Sequence, residues 1–318
     1  MTFKKIQFRL TTPSKWYTHI NSLVPSTIND TQLLLNPEFG QGKLKYLEVQ
    51  NGLWAQSTNV ILNEDLILER LASDHNDMYL INFYLSKAEI KQTVKKKTIS
   101  QTIENVNMIF YSSMTSSQTC VPANETILIF NLLLSKEWLF KNVIPDYEHL
   151  SSFFNTNHPI CLSENLDYNL KKLLNHINFD ENNRLTSISG ILQIINYLFL
   201  KFGKRELESS KNNIHPDDLN QLLKIREILD TNPHREIQLV NLSEQASMSL
   251  SKFNRIFKQV FGTTPYQYHL KQKMEKAMET LQENKHSVSE TGFLMGYSNL
   301  SQFSKAFKNH FGILPSEV

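Results

Sequence analysis

The sequence predicts an α+β chain of more than one domain, β-rich towards its N-terminal end and wholly helical towards its C-terminal end. Three observations lead there. Between about residues 40 and 135, short runs rich in Val, Ile, Thr, Tyr and Phe alternate with turn clusters, as in a sandwich or small barrel. From about 163 the apolar spacing changes to the three-and-four rhythm of helices. Finally, SLSKFNRIFKQVFGTTP at 249–265 recurs fifty positions later as NLSQFSKAFKNHFGILP at 299–315, with 8 of 17 positions identical and no gap. A repeat of that kind marks a duplicated structural unit.

Bulk composition sets bounds. A chain of 318 residues has room for two ordinary cores. With 33 Lys and Arg against 31 Asp and Glu the formal charge is +2, so a polyanionic partner has to be sought in local charge. Two cysteines, Cys120 and Cys161, supply neither a disulfide framework nor a Cys-x-x-Cys site and fit a reducing compartment. The opening MTFKKIQFRLTTPSK lacks a signal peptide's apolar segment, and no membrane-spanning run of eighteen apolar residues is expected. The expected location is the cytoplasm.

In chain order, Trp16, Ile20 and Leu23 predict a short helix that stops at Pro25. The strand candidates are LKYLEV, LWAQSTNVI, MYLINFYL, VNMIFY and TILIFNLLL, separated by turn clusters at 36–42, 50–52, 73–77 and 121–125. MYLINFYL and TILIFNLLL are apolar on both alternations and should be central. KAEIKQTVKKKTI is polar enough for an edge, with Lys95, Lys96 and Lys97 protecting it. The expected architecture is a cupin-like sandwich or barrel. Trp54, Tyr79, Phe83, Tyr84 and Phe110 are read as strand core before pocket lining.

Ser163 is expected to cap a helix whose apolar face is Leu166, Leu170, Leu173, Leu174 and Ile177. A second helix from about 187 carries Ile188, Ile191, Leu192, Ile195, Leu198, Phe199 and Phe202 and stops at Gly203. Ile194 widens its stripe, leaving open whether it meets another subunit or the β domain. The polar stretch 204–218 holds the boundary. The expected domains are 1–140, β-rich; 141–210, a helical segment that links and, if its wide stripe meets another subunit, dimerises; and 211–318, all-α.

In the repeated unit, Phe253, Ile256, Phe257, Val260 and Phe261 lie on one helical face, as do Phe303, Ala306, Phe307 and Phe311. Gly262 and Gly312 stand where a left-handed residue ends such a helix. The other face carries Ser251, Lys252, Asn254, Arg255 and Lys258 in the first copy, and Ser301, Gln302, Ser304, Lys305 and Lys308 in the second, with no acid in either helix. Residues 214–318 hold 12 Lys and Arg against 11 Asp and Glu, so this positive charge is placed, not spread. Such a face suits phosphates and base edges together.

Each copy follows a short helix and a tight turn, through Ser247 to a Ser249 cap, and through Gly296 and Tyr297 to Asn299. That arrangement is a helix-turn-helix, twice. Between them Thr264 caps and Pro265 begins a helix with a stripe of Leu270, Met274, Ala277, Met278 and Leu281. At 1.5 Å per residue it is about 27 Å long, close to the roughly 34 Å spacing of successive major-groove segments on one side of DNA.

Residues 219–316 resemble the DNA-binding domain of the AraC/XylS family of bacterial transcription regulators. LSEQASMSLSKFNRIFKQVFGTTP, the connector YQYHLKQKMEKAMETL and GYSNLSQFSKAFKNHFGILPSE carry the resemblance. It implies that Ser251, Asn254 and Arg255, and likewise Ser301, Ser304 and Lys305, meet bases of double-stranded DNA. It also implies a homodimer, an N-terminal domain that often takes a small-molecule effector, and RNA polymerase as a partner of an activator. Thr291 and Gly292 stand where the family has an aliphatic residue followed by Ala, and Gly inside a helix costs about 1 kcal/mol against Ala. The second module is therefore expected to be the less stable one.

Other classes are less well supported. A protein-interaction regulator that has lost DNA binding is the alternative. The sequence has no phosphate loop, no His-Glu-x-x-His, no Gly-x-Ser-x-Gly and no metal-spaced cysteines, so neither enzyme, cofactor nor metal is expected.

Overall fold

The computed structural model describes residues 4–94, 97–103, 107–175, 177, 183–203 and 216–318. Two compact units, Met1–Gly203 and Lys204–Val318, make up the chain. Lys95, Lys96 and most of the polar stretch read as the boundary lie outside the described residues.

The first unit contains, in order, β1 (Lys4–Arg9), α1 (Pro13–Asn21), β2 (Ser26–Asn29), β3 (Gln32–Leu35), β4 (Gly40–Gln50), β5 (Leu53–Leu62), β6 (Leu66–Leu71), β7 (Met78–Tyr84), β8 (Ile90–Val94), β9 (Lys97–Gln101), β10 (Met108–Ser112), β11 (Ser117–Val121) and β12 (Ile127–Ser135). Then follow α2 (Lys136–Asn142), α3 (Ser151–Phe154), β13 (Cys161–Glu164), α4 (Tyr168–Asn175) and α5 (Arg184–Gly203). The strands form two sheets, β1-β6-β11-β8-β9 and β13-β10-β7-β12-β5-β4-β3-β2. β7 and β12, the two doubly apolar runs, pair with each other at the centre of the larger sheet, and β9 is an edge of the smaller one. The pattern did not announce β1, β2, β3, β6, β11 or β13. These are strands of four to six residues, several of them polar; β2 and β3 pair as a local hairpin, while others are held by partners distant in sequence, as β1 lies parallel to β6.

An aromatic layer joins the larger sheet to its helices. Tyr79 and Phe110 pack on Phe154 of α3, and Phe110 and Phe154 reach Phe202 and Phe199 of α5. The wide stripe of α5 is thereby accounted for in part: Ile191, Ile194, Ile195, Leu198, Phe199 and Phe202 are buried, while Leu185, Leu192 and Leu200 stay exposed. By length and composition α5 is apolar enough to span a membrane, contrary to the sequence expectation. Its apolar side is occupied by the domain's own core, however, and Lys201 on it is ion-paired to Asp167 at 3.0 Å and Glu164 at 3.4 Å.

The expected cap at Ser163 is wrong. Ser163 pairs with Ile109 inside the sheet, and α4 starts later, where Asp167 Oδ1 accepts from the Leu170 amide at 3.1 Å. Asp167 is the better cap because the same carboxylate also accepts from Tyr197 Oη at 2.9 Å and so ties α4 to α5.

The second unit is α6 (Pro216–Thr231), α7 (Leu239–Gln245), α8 (Leu250–Phe261), α9 (Pro265–Gln282), α10 (Val288–Leu294) and α11 (Leu300–Phe311). Leu222, Ile225 and Leu229 of α6 close the core over Leu242, Ala246, Met248, Phe253, Ile256 and Phe257.

Candidate nucleic-acid interface

α8 is fixed at both ends by local chemistry. Ser249 Oγ accepts from the Lys252 amide at 3.3 Å, and Gly262, at φ 75°, donates its N–H to the Lys258 carbonyl. Its apolar side is anchored by Phe253 and Phe257, both fully buried and 5.6 Å apart between ring centres. Phe257 also meets Tyr268 of α9 at 5.6 Å, and the Tyr268 hydroxyl donates to Asp230 of α6 at 2.7 Å. Burial, with the Asp230 carboxylate beside it, raises the Tyr268 pKa well above its ordinary value, so the hydroxyl keeps its proton and remains a donor.

α11 repeats the design. Asn299 Oδ1 accepts from the amides of Ser301 and Gln302, Gly312 sits at φ 78°, and Phe303 and Phe307 are fully buried. α9 begins with Pro265 and a capping box between Thr264 and Gln267, so a regular helix of 18 residues connects the two helix-turn-helix motifs.

The turns before the two helices are not identical. α7 and α10 are related by 49 positions and α8 and α11 by 50, so the second turn holds one more residue. Each turn has one left-handed residue, Ser247 at φ 56° and Gly296 at φ 77°.

Opposite the phenylalanines, Ser251, Arg255 and Lys258 are exposed and Asn254 is half-buried, with Asn254 Nδ2 donating to the Leu250 carbonyl at 3.0 Å. Lys252 is engaged within its own unit: its ammonium lies 2.9 Å from Asp218, a partner that only the fold reveals. On α11, Ser301, Gln302, Lys305 and Lys308 are exposed and Ser304 is half-buried. Apart from Lys252, the expected residues of each helix share one face, and that face is turned away from the core.

Thr291 and Gly292 have definite roles in packing. A Cβ on Gly292 would lie 2.8 Å from Leu300 Cδ2 and 3.1 Å from Phe303 Cδ1. The glycine allows α10 to approach α11 closely, and this offsets its cost to the helix. Thr291 is fully buried and its hydroxyl has no hydrogen-bond partner. Thr291→Val keeps the shape and removes the unpaired hydroxyl, so it is expected to stabilise the unit by about 1 kcal/mol, measured by urea unfolding of the full chain. An unchanged or lower midpoint would show that the hydroxyl is satisfied.

Two short-helix, turn and long-helix units on a shared connector, each with a capped, basic and acid-free outer face, define a double helix-turn-helix domain of the nucleic-acid-binding class. The family profile described as "Helix-turn-helix domain" matches residues 242–318. The chain is 30% identical over 131 residues to the probable transcriptional regulator LumQ of Photobacterium leiognathi, covering 41% of this chain and 49% of that one. It is also 30% identical over 112 residues to the transcriptional activator RhaS of Salmonella paratyphi B, covering 35% and 38%. The chain spans half or less of the length of each of these relatives. Among solved structures, an AraC-type regulator from Chromobacterium violaceum is similar at 26% identity and a TM-score of 0.30, covering 32% of this chain and 92% of that one. ToxT from Vibrio cholerae is similar at 15% identity and a TM-score of 0.33, covering 84% and 97%. Residues 242–318 are a helix-turn-helix domain.

Proposed function

We propose that the chain is a sequence-specific transcription regulator whose α8 and α11 enter successive major-groove segments of double-stranded DNA. The observation that carries this reading is the pair of twelve-residue helices, each with two fully buried phenylalanines (Phe253 and Phe257, Phe303 and Phe307) and an exposed acid-free basic face. In this reading Ser251, Asn254 and Arg255, with Ser301, Ser304 and Lys305, face the bases, and Gln302 lies in the DNA-binding face beside them. Lys258 and Lys308 face phosphates, and Lys252 reaches a phosphate by exchanging Asp218 for it.

The first unit is then the regulatory part, responsive to a small molecule. The exposed Leu185, Leu192 and Leu200 of α5 support a homodimer contact through residues 141–210. A regulator of this kind works in the cytoplasm beside RNA polymerase, and the name of the RhaS relative favours activation.

If about six phosphates are contacted, affinity of the full chain for its own upstream DNA falls roughly a thousandfold or more between about 50 and 200 mM salt, as read by fluorescence anisotropy. Absence of binding at the lower salt would overturn the DNA reading.

A further inference from the structure

The space between the two sheets of the first unit is unusual. On β7 and β12 the side chains turned to the helices, among them Tyr79, Ile81, Phe83, Leu132 and Leu134, are 0% exposed. On the opposite alternation, facing the second sheet, Met78, Tyr84, Ile127 and Leu133 are buried, but Leu80, Asn82, Ile129 and Asn131, which lie mid-strand, are only half-buried. Two separate apolar clusters occupy this side. Leu80 belongs with Val94, Ile109 and Tyr111 at one end, and Ile129 with Leu66, Tyr84 and Ile127 at the other. Between them runs a polar band, in which Asn82 Nδ2 donates to Asn131 Oδ1 at 3.0 Å.

Arg70 of β6 is enclosed on this side at the Tyr111 end, 3% exposed. Its guanidinium lies over the Tyr111 ring, 4.0 Å from the centroid, while Nε and Nη2 have no hydrogen-bond partner. The neighbouring polar groups serve each other. The Tyr111 hydroxyl donates to Gln92 Oε1, and Gln92 Nε2 donates to Ser117 Oγ at 3.2 Å. The adjacent carboxylate, Glu69, sits on the other alternation and pairs with Lys5 at 2.9 Å. Burying a cation without an anion is unfavourable, and the aromatic face offsets only part of that cost. Nε and Nη2 form one edge of the guanidinium, the edge that grips a carboxylate with two parallel hydrogen bonds.

We propose that the interior of the β domain is a binding site for a small carboxylate, gripped by the Nε/Nη2 edge of Arg70 against Tyr111. Calling this ligand an effector rests on the regulator reading; the site itself does not.

The test uses the full chain and thermal unfolding at constant ionic strength, with formate, acetate, propanoate, pyruvate and lactate, the neutral lactamide, and sulfate. At least one carboxylate is expected to raise Tm saturably by several degrees, with lactamide inert. Arg70→Met is expected to abolish the rise and, without ligand, to melt no lower than the wild type, because it removes an uncompensated buried charge. No response to any carboxylate, a response to sulfate alone, an equal response to lactamide, or a rise retained in Arg70→Met overturns the site. If Arg70→Met does not fold, calorimetric titration of the wild type with the most effective carboxylate and with its amide decides by the same criteria. DNA binding of the same preparation is measured in parallel, so failure of the carboxylate site and failure of the regulator reading are told apart.

Discussion

Phe257→Ala is expected to destabilise the C-terminal unit by about 3 to 5 kcal/mol, the range for removing a buried aromatic side chain. Phe257 is fully buried and is the common neighbour of Phe253, Phe261 and Tyr268, at 5.6, 4.5 and 5.6 Å between ring centres. Its removal leaves a cavity where α8 meets α9, next to the Tyr268–Asp230 hydrogen bond that holds α6. Domain stabilities run from about 5 to 15 kcal/mol, so this one change consumes a large fraction of the total. Urea unfolding followed by circular dichroism measures it, with Phe307→Ala as the matched change in α11, where Phe303 and Phe311 lie 5.8 and 4.7 Å away. A loss below about 1 kcal/mol would mean that the site collapses around the smaller side chain, and that the repeated phenylalanines are not what holds these helices.

Arg255→Ala is expected to weaken binding to the cognate site by about 1 to 3 kcal/mol, roughly tenfold to a hundredfold, and to relax sequence preference. The guanidinium is exposed on the acid-free face of α8, and an Arg fork reads guanine edges with two hydrogen bonds. Lys258→Ala is expected to weaken cognate and random DNA alike and to lower the salt slope by about 1. Lys252→Ala is expected to cost less than either, because binding must first break its 2.9 Å contact with Asp218. Competition titrations with cognate and scrambled duplexes give all three values. Equal effects of Arg255→Ala on both duplexes would remove Arg255 from the base-reading set.

Much of the second unit was legible because its determinants are local. Ser249, Thr264 and Asn299 cap where short polar side chains precede an apolar rhythm, and Gly262 and Gly312 are left-handed where the rhythm stops. The one-residue difference between the turns was not legible, since Ser247 and Gly296 meet the same backbone requirement with different side chains. The Thr291 and Gly292 departure could not be weighed from propensity, because its sign depends on how closely Leu300 and Phe303 approach.

The first unit divides differently. Long doubly apolar runs identified the central strands β7 and β12, as burial on two faces requires. Short strands such as β1 and β6 escaped notice, because their hydrogen bonds go to segments sixty residues away and leave no periodic mark. Arg70 is the extreme case. Nothing local in LILERL marks it out from Glu69 beside it, and only the pairing of β6 between β1 and β11 turns it into the space between the sheets.

What the sequence determined by itself is therefore the repeated, capped, basic helix of the C-terminal domain, whose signals act over three or four residues. What the tertiary structure alone decided is which charges are free and which are enclosed. Lys252 is paired with Asp218 and Arg70 is sealed against Tyr111, and the environment of a charge is set by whatever the fold brings beside it.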